Sequence, residues 1–71
     1  MVKVTAVSKK IGIIRRIRES KKITQEQLAL TAGLNRAYIG YIERGERNPS
    51  TGTLAKIAQA LKVSVKDLFD H

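Results

Sequence analysis

The chain has 71 residues, 14 lysines and arginines against 6 aspartates and glutamates, a net charge of +8 and a pI of about 10.3. That length allows one domain, residues 1–71, with one modest core, and the charge is the footprint of a protein that releases counterions from phosphates. With no cysteine there is neither a disulfide framework nor a thiolate metal site, and no stretch is apolar for long enough to be a signal peptide or a membrane span. The expected location is therefore cytoplasmic, with no membrane partner.

Residues 1–7, MVKVTAV, alternate apolar and polar as a strand does. One short strand has no partner in this chain, so the segment is expected to be a flexible arm or an edge that pairs only in a dimer. A first helix is expected from about Ser8 to Ser20, with Ile14 and Ile17 inward and Arg15 and Arg16 facing water or phosphate. The basic bias gathers here. Lys3, Lys9, Lys10, Arg15, Arg16, Arg18, Lys21 and Lys22 stand against Glu19 alone, so +7 of the net +8 falls in residues 1–22. A solvated helix face is the competing explanation of such a run.

Residues 24–45, TQEQLALTAGLNRAYIGYIERG, read as two amphipathic helices joined by a short glycine-containing turn, the outline of a helix-turn-helix. Thr24 and Gln27 have the spacing of a capping box, and Glu26 suits the positive end of the helix dipole. Leu28, Ala29 and Ala32 fall at helical spacing, and Gly33 follows where a left-handed residue ends a helix without a Cβ penalty. Asn35 caps the next helix, whose Ile39 and Ile42 share an inner face, with Leu34 placed to staple against Ile39.

Arg36, Ala37, Gly40 and Tyr41 are then expected to lie outward, with Tyr38 at the flank. Arg36, one residue inside the helix, carries a planar fork that fits guanine O6 and N7, so it is the first choice for reading a base. Ala37 is small enough to meet a thymine methyl, and Tyr38 and Tyr41 can stack on or hydrogen-bond to the duplex. For the tyrosines taken alone, half-buried packing is the commoner role. Gly40 in a helix interior costs about 1 kcal/mol against alanine, so it marks a close contact with a neighbouring helix or with DNA.

The polar linker RGERN, residues 44–48, should run beside this helix, where Arg44, Arg47 and Asn48 can reach phosphates. Pro49 bars helix, Ser50 caps the fourth one, and Leu54, Ile57, Ala58 and Leu61 recur at helical spacing. Ser64 caps a last short helix, with Asp67 as its box-like partner and Leu68 inward. The reading is all-α, five short helices.

An enzyme is not expected. His71 is the single histidine and stands at the end of the chain, and the carboxylates are scattered without an acid/base pair or metal-ligand spacing. Gly45 and Gly52 are isolated, without the lysine and preceding strand of a phosphate loop. No cofactor, metal or small-molecule ligand is called for.

The run from about Ile14 to Phe69, with IRRIRESKKITQEQLA, the turn AGLN, IERGERNPS and LAKIAQALKVSVKDLF, resembles the Xre-type helix-turn-helix family, which includes the small phage repressors and Cro proteins. The resemblance implies a lambda-repressor-like domain in which Gln25 braces a phosphate and the first recognition-helix residue, Arg36. It further implies a buried ion pair between Arg18 and Glu43, which agrees with the cost of burying either charge alone. The stretch NRAYIGYIERGERNPS is most similar to the controller proteins of restriction-modification systems, and that similarity implies DNA contacts at Arg36, Tyr38 and Asn48. Ala37 departs from the pattern, since polar residues are often found there; fewer base contacts are then expected from this turn, with part of the specificity coming from DNA shape.

The expected function is a sequence-specific regulator of transcription acting by occupancy of double-stranded DNA. One such module reads only a few base pairs, so a homodimer on a pseudo-palindrome is expected, its recognition helices roughly 34 Å apart. The interface is assigned to the residues after Leu61, with Val65, Phe69 and the nearby Leu61 as candidates and core burial expected for at least one of them. Such a dimer blocks RNA polymerase or recruits it, depending on where the operator lies. The alternatives are a prophage-type repressor, or an antitoxin or adaptor using the same fold to meet a protein; the charge argues against the protein-binding one.

Overall fold

The computed structural model describes residues 6–68, with side chains from residue 12 onward. Four α-helices, α1 (Ala6–Ser20), α2 (Gln25–Ala32), α3 (Arg36–Glu43) and α4 (Thr51–Leu61), are followed by a 3₁₀ turn, Val65–Leu68. The described residues contain no strand.

The start of α2 follows from a reciprocal cap. Thr24 Oγ1 accepts from the Gln27 N–H at 3.0 Å, and the Thr24 N–H donates to Gln27 Oε1 at 2.9 Å, which satisfies two backbone donors that have no partner in the helix. Gly33 ends the helix with φ +71°, and the Leu34 N–H closes back on the Ala29 carbonyl at 2.8 Å. Asn35 Oδ1 then accepts from the Ala37 N–H at 2.7 Å. Two caps and one left-handed glycine thus turn the chain sharply between α2 and α3. Ser50 starts α4 the same way, its Oγ accepting from the Thr53 N–H at 3.1 Å.

Ile14 of α1, Leu28 and Ala29 of α2, Ile39 and Ile42 of α3, Leu54, Ile57, Ala58 and Leu61 of α4, and Leu68 form one core. Ile17, Ile23, Leu34, Tyr38, Val63 and Val65 pack around it. α2 lies against both α3 and α4, while α1 rests on α3 and on the 3₁₀ turn. The body therefore grips α3 along its Ile39–Ile42 side and leaves the start of that helix facing solvent.

Three expectations need correction. Ala6 and Val7 belong to α1, whereas they were expected in an arm or strand; a lone strand leaves its backbone groups unpaired, and a helix pairs them internally. Residues 1–5 lie outside the described residues. The fifth helix is a four-residue 3₁₀ turn, in which the Asp67 N–H reaches the Ser64 carbonyl at 3.0 Å and Asp67 Oδ2 accepts from the Ser64 N–H at 3.1 Å. Burial of Leu68, 0% exposed, holds a segment too short for a regular α-turn ladder. Leu61, assigned to a dimer interface, is also 0% exposed within the single chain, so it has no surface to offer a second copy.

Candidate nucleic-acid interface

Arg36 is the first residue of α3 and is exposed, with Ala37 exposed beside it and Tyr38 half-buried at the flank. Asn35, Ala37, Tyr38, Tyr41 and Arg47 line an open surface depression of about 390 Å³. The small side chain of Ala37 leaves room there, and the two tyrosines supply ring faces. Four of the residues named from the sequence are thereby brought together by one turn of helix and the loop that follows it.

Two guanidinium groups lie over the Tyr41 ring, Arg44 with its central carbon 5.2 Å from the centroid and Arg47 at 5.5 Å. Both distances suit a cation–π contact. Arg44 is held a second time, its Nε and Nη2 donating to the two oxygens of Glu46 at 3.1 and 3.3 Å. Hydrogen bonding within this pair raises the pKa of Arg44 and holds the Glu46 carboxyl below its ordinary value. The stacking of Tyr41 had a sequence signal, because Arg44 follows it at i+3. Nothing in the sequence pointed to Glu46.

Gly40 does not face outward. It is buried, and a Cβ placed on it would stand 3.1 Å from Arg44 Nη1 and 3.9 Å from Gln25 Oε1. The expected close contact exists, but its partners are side chains of the chain itself that fold over the backbone of α3. The lack of a side chain at position 40 lets the end of Arg44 approach the helix.

Behind this surface lies a buried polar knot. Arg18 Nε donates to Glu43 Oε2 at 2.7 Å and its Nη2 donates to Oε1 at 3.0 Å, while Nη1 donates to the Ile23 carbonyl at 2.8 Å. Gln25 Nε2 adds a third donor to Glu43, at 2.9 Å from Oε1. The Glu43 side chain is only 3% exposed and that of Arg18 10%, and among the described residues no buried side-chain polar atom lacks a partner. The hydrogen bonds to Glu43 raise the pKa of Arg18 above its ordinary value, burial opposing them. Gln25, named for a phosphate, thus spends one amide hydrogen inward and keeps one; no hydrogen bond joins it to Arg36.

Of the other cations, Arg15 pairs with Glu19 at 3.2 Å along the solvent face of α1, and Arg16 is exposed next to it. Arg47 and Asn48 are exposed in the loop. Val65 is half-buried against the core, and Phe69 lies outside the described residues.

A helix set across a compact body, entered through a left-handed glycine and an asparagine cap and presenting Arg36 and the small Ala37 outward, defines the helix-turn-helix class of DNA-binding proteins. The chain belongs to the Xre-type helix-turn-helix family HTH_3, which it matches over residues 14–68. It is a helix-turn-helix transcriptional regulator, homologous to the controller proteins of restriction-modification systems. It is 50% identical over 58 residues to the control protein C.BamHI of Bacillus amyloliquefaciens, covering 80% of this chain and 72% of that one. Its fold is similar to that of the controller protein C.AhdI from Aeromonas hydrophila, with a TM-score of 0.87 and 40% identity over 89% of this chain and 96% of the other. It is similar as well to the controller protein C.Esp1396I, solved as a tetramer in complex with its natural 35 base-pair operator, with a TM-score of 0.82 and 35% identity over 93% and 97% of the two chains. The relatives are regulators, and no enzyme family is among them.

Proposed function

We propose that this regulator is a cytoplasmic controller of a restriction-modification system and binds double-stranded DNA as a homodimer on a pseudo-palindromic operator. The observation that carries the reading is the exposed Arg36 in the first turn of α3, beside the depression formed by Ala37, Tyr38, Tyr41 and Arg47. α3 enters the major groove, where Arg36 reads a base through its fork and Ala37 and Tyr38 meet base edges and the sugar-phosphate chain. Arg15 and Arg16 on α1, the free amide hydrogen of Gln25, and Arg44, Arg47 and Asn48 in the loop hold phosphates. Tyr41, with two arginines over its ring, positions them more than it reads a base.

Two copies set the symmetry of the site. Val65 and Phe69 supply the dimer contact, without Leu61, and whether RNA polymerase is blocked or recruited follows from the position of the operator.

Selection of bound sequences from a random duplex pool tests the reading. The expected product is a pseudo-palindrome whose half-site centres lie roughly 34 Å, one helical turn, apart. A pool that emerges no different from the input overturns it.

A further inference from the structure

We propose that Glu46 limits the affinity of the loop after α3 for DNA by occupying Arg44, and that a backbone phosphate takes the place of the Glu46 carboxylate when the duplex binds. This rests on the DNA-binding reading given above. One edge of the Arg44 fork is taken by Glu46, and the remaining nitrogen sits against α3. Arg44 Nε and Nη2 face the two oxygens of Glu46 at 3.1 and 3.3 Å, and Nη1 lies over Gly40, 3.1 Å from where a Cβ would stand. The ring of Tyr41 covers the guanidinium plane at 5.2 Å.

The same fork fits a carboxylate and a phosphate equally well in shape, so the two compete for one site. The balance is set by exposure. The Arg44 and Glu46 side chains are 56% and 52% exposed, and an ion pair in that setting is weak and easily exchanged. A phosphate brings in addition the release of its condensed counterions, which the intrachain carboxylate does not. Glu46 is also the sole acidic residue in the linker 44–48, and its charge lies within a Debye length of the phosphates that Arg44 and Arg47 would contact. Tyr41 and Gly40 keep the guanidinium in place during the exchange, so that the ligand changes and the cation does not travel.

The test is duplex binding by the full chain, followed by fluorescence anisotropy over a range of salt, with a selected site and with a random duplex of the same length. Glu46→Gln is expected to bind both duplexes about twofold to fivefold more tightly near 0.1 M salt, with a salt slope close to that of wild type, because the phosphate contact to Arg44 is made by both chains. Most of that gain should vanish when Arg44→Ala is already present. Unchanged or weaker binding by Glu46→Gln overturns the proposal, as does an equal gain in the Arg44→Ala background, which would trace the effect to the carboxylate charge alone. A wild-type chain that binds neither duplex overturns the DNA reading and the clamp together; wild-type binding with an inert Glu46→Gln overturns the clamp alone.

Discussion

Arg18 and Glu43, 25 positions apart, close a two-pronged ion pair at 2.7 and 3.0 Å, and the amide of Gln25 seals the same carboxylate at 2.9 Å. This knot ties the end of α1 and the start of α2 to the last turn of α3, so the recognition helix is anchored by charge as well as by Ile39 and Ile42. Removing one partner leaves the other buried and unpaired. Arg18→Ala or Glu43→Ala should each cost about 3 kcal/mol in urea unfolding. The joint replacement Arg18→Met with Glu43→Leu should lie closer to wild type than either single change, because the desolvation cost disappears with the pair. Equal losses for the double and single variants would refute that account.

Left-handed backbone gives a second test. Gly33 holds φ +71° and Lys62, the residue that ends α4, holds φ +60°. Gly33→Ala should lower stability by about 1 kcal/mol, and Lys62→Gly should raise it by up to about 1 kcal/mol, since a Cβ is strained in that region and its removal relieves the strain. Thermal unfolding of the two variants should move in opposite directions.

Gly40 is a different case, because it lies inside α3. Alanine there gains helix propensity of about 1 kcal/mol but meets Arg44 Nη1 at 3.1 Å. That atom ends a long exposed side chain and can withdraw, so Gly40→Ala should unfold no more easily than wild type while shifting Arg44 away from its seat. The expected signature is unchanged or higher thermal stability together with weaker duplex binding. A large loss of stability would show that Arg44 cannot give way.

The Glu46 carboxyl is held below its ordinary value by its hydrogen bonds to Arg44. A depressed folded-state pKa means that the contribution of the pair is whole above the unfolded value and fades as the pH falls through the folded one. A carbon-detected titration of the Glu46 side chain should show a midpoint below that of an unpaired glutamate, moving upward in Arg44→Ala and at high salt. Coincident titrations of wild type and Arg44→Ala would dissolve the pair.

Arg36→Ala should cost about 1–3 kcal/mol on the selected operator and relax preference at one base position, whereas Arg16→Ala should weaken all duplexes alike and flatten the salt slope by about 0.9. Competition binding against single-base operator variants separates the two. Uniform weakening by Arg36→Ala would move it from base reader to phosphate contact.

Much of the helix-turn-helix is legible without coordinates. Thr24, Gln27, Gly33, Asn35 and Ser50 act through partners within a few residues, and the inward apolar positions follow from a period set by the helix itself. Other stops carry no such mark. α1 turns off at Lys22 and α4 at Lys62, both left-handed lysines, where a glycine would have announced the end. The residues of the last segment also suited a helix, and only its length and the anchoring of Leu68 made it a 3₁₀ turn.

The sequence by itself determined where α2 to α4 begin, where the recognition helix is set, and that the surface is cationic, because caps, helical period and net charge depend on near neighbours or on composition. Only the tertiary structure decided which faces are covered. It put Gly40 under Arg44, drew Gln25 inward to Glu43, and closed the core over Leu61. Those outcomes depend on elements that meet from distant parts of the chain, and a helix carries no record of which neighbour will cover it.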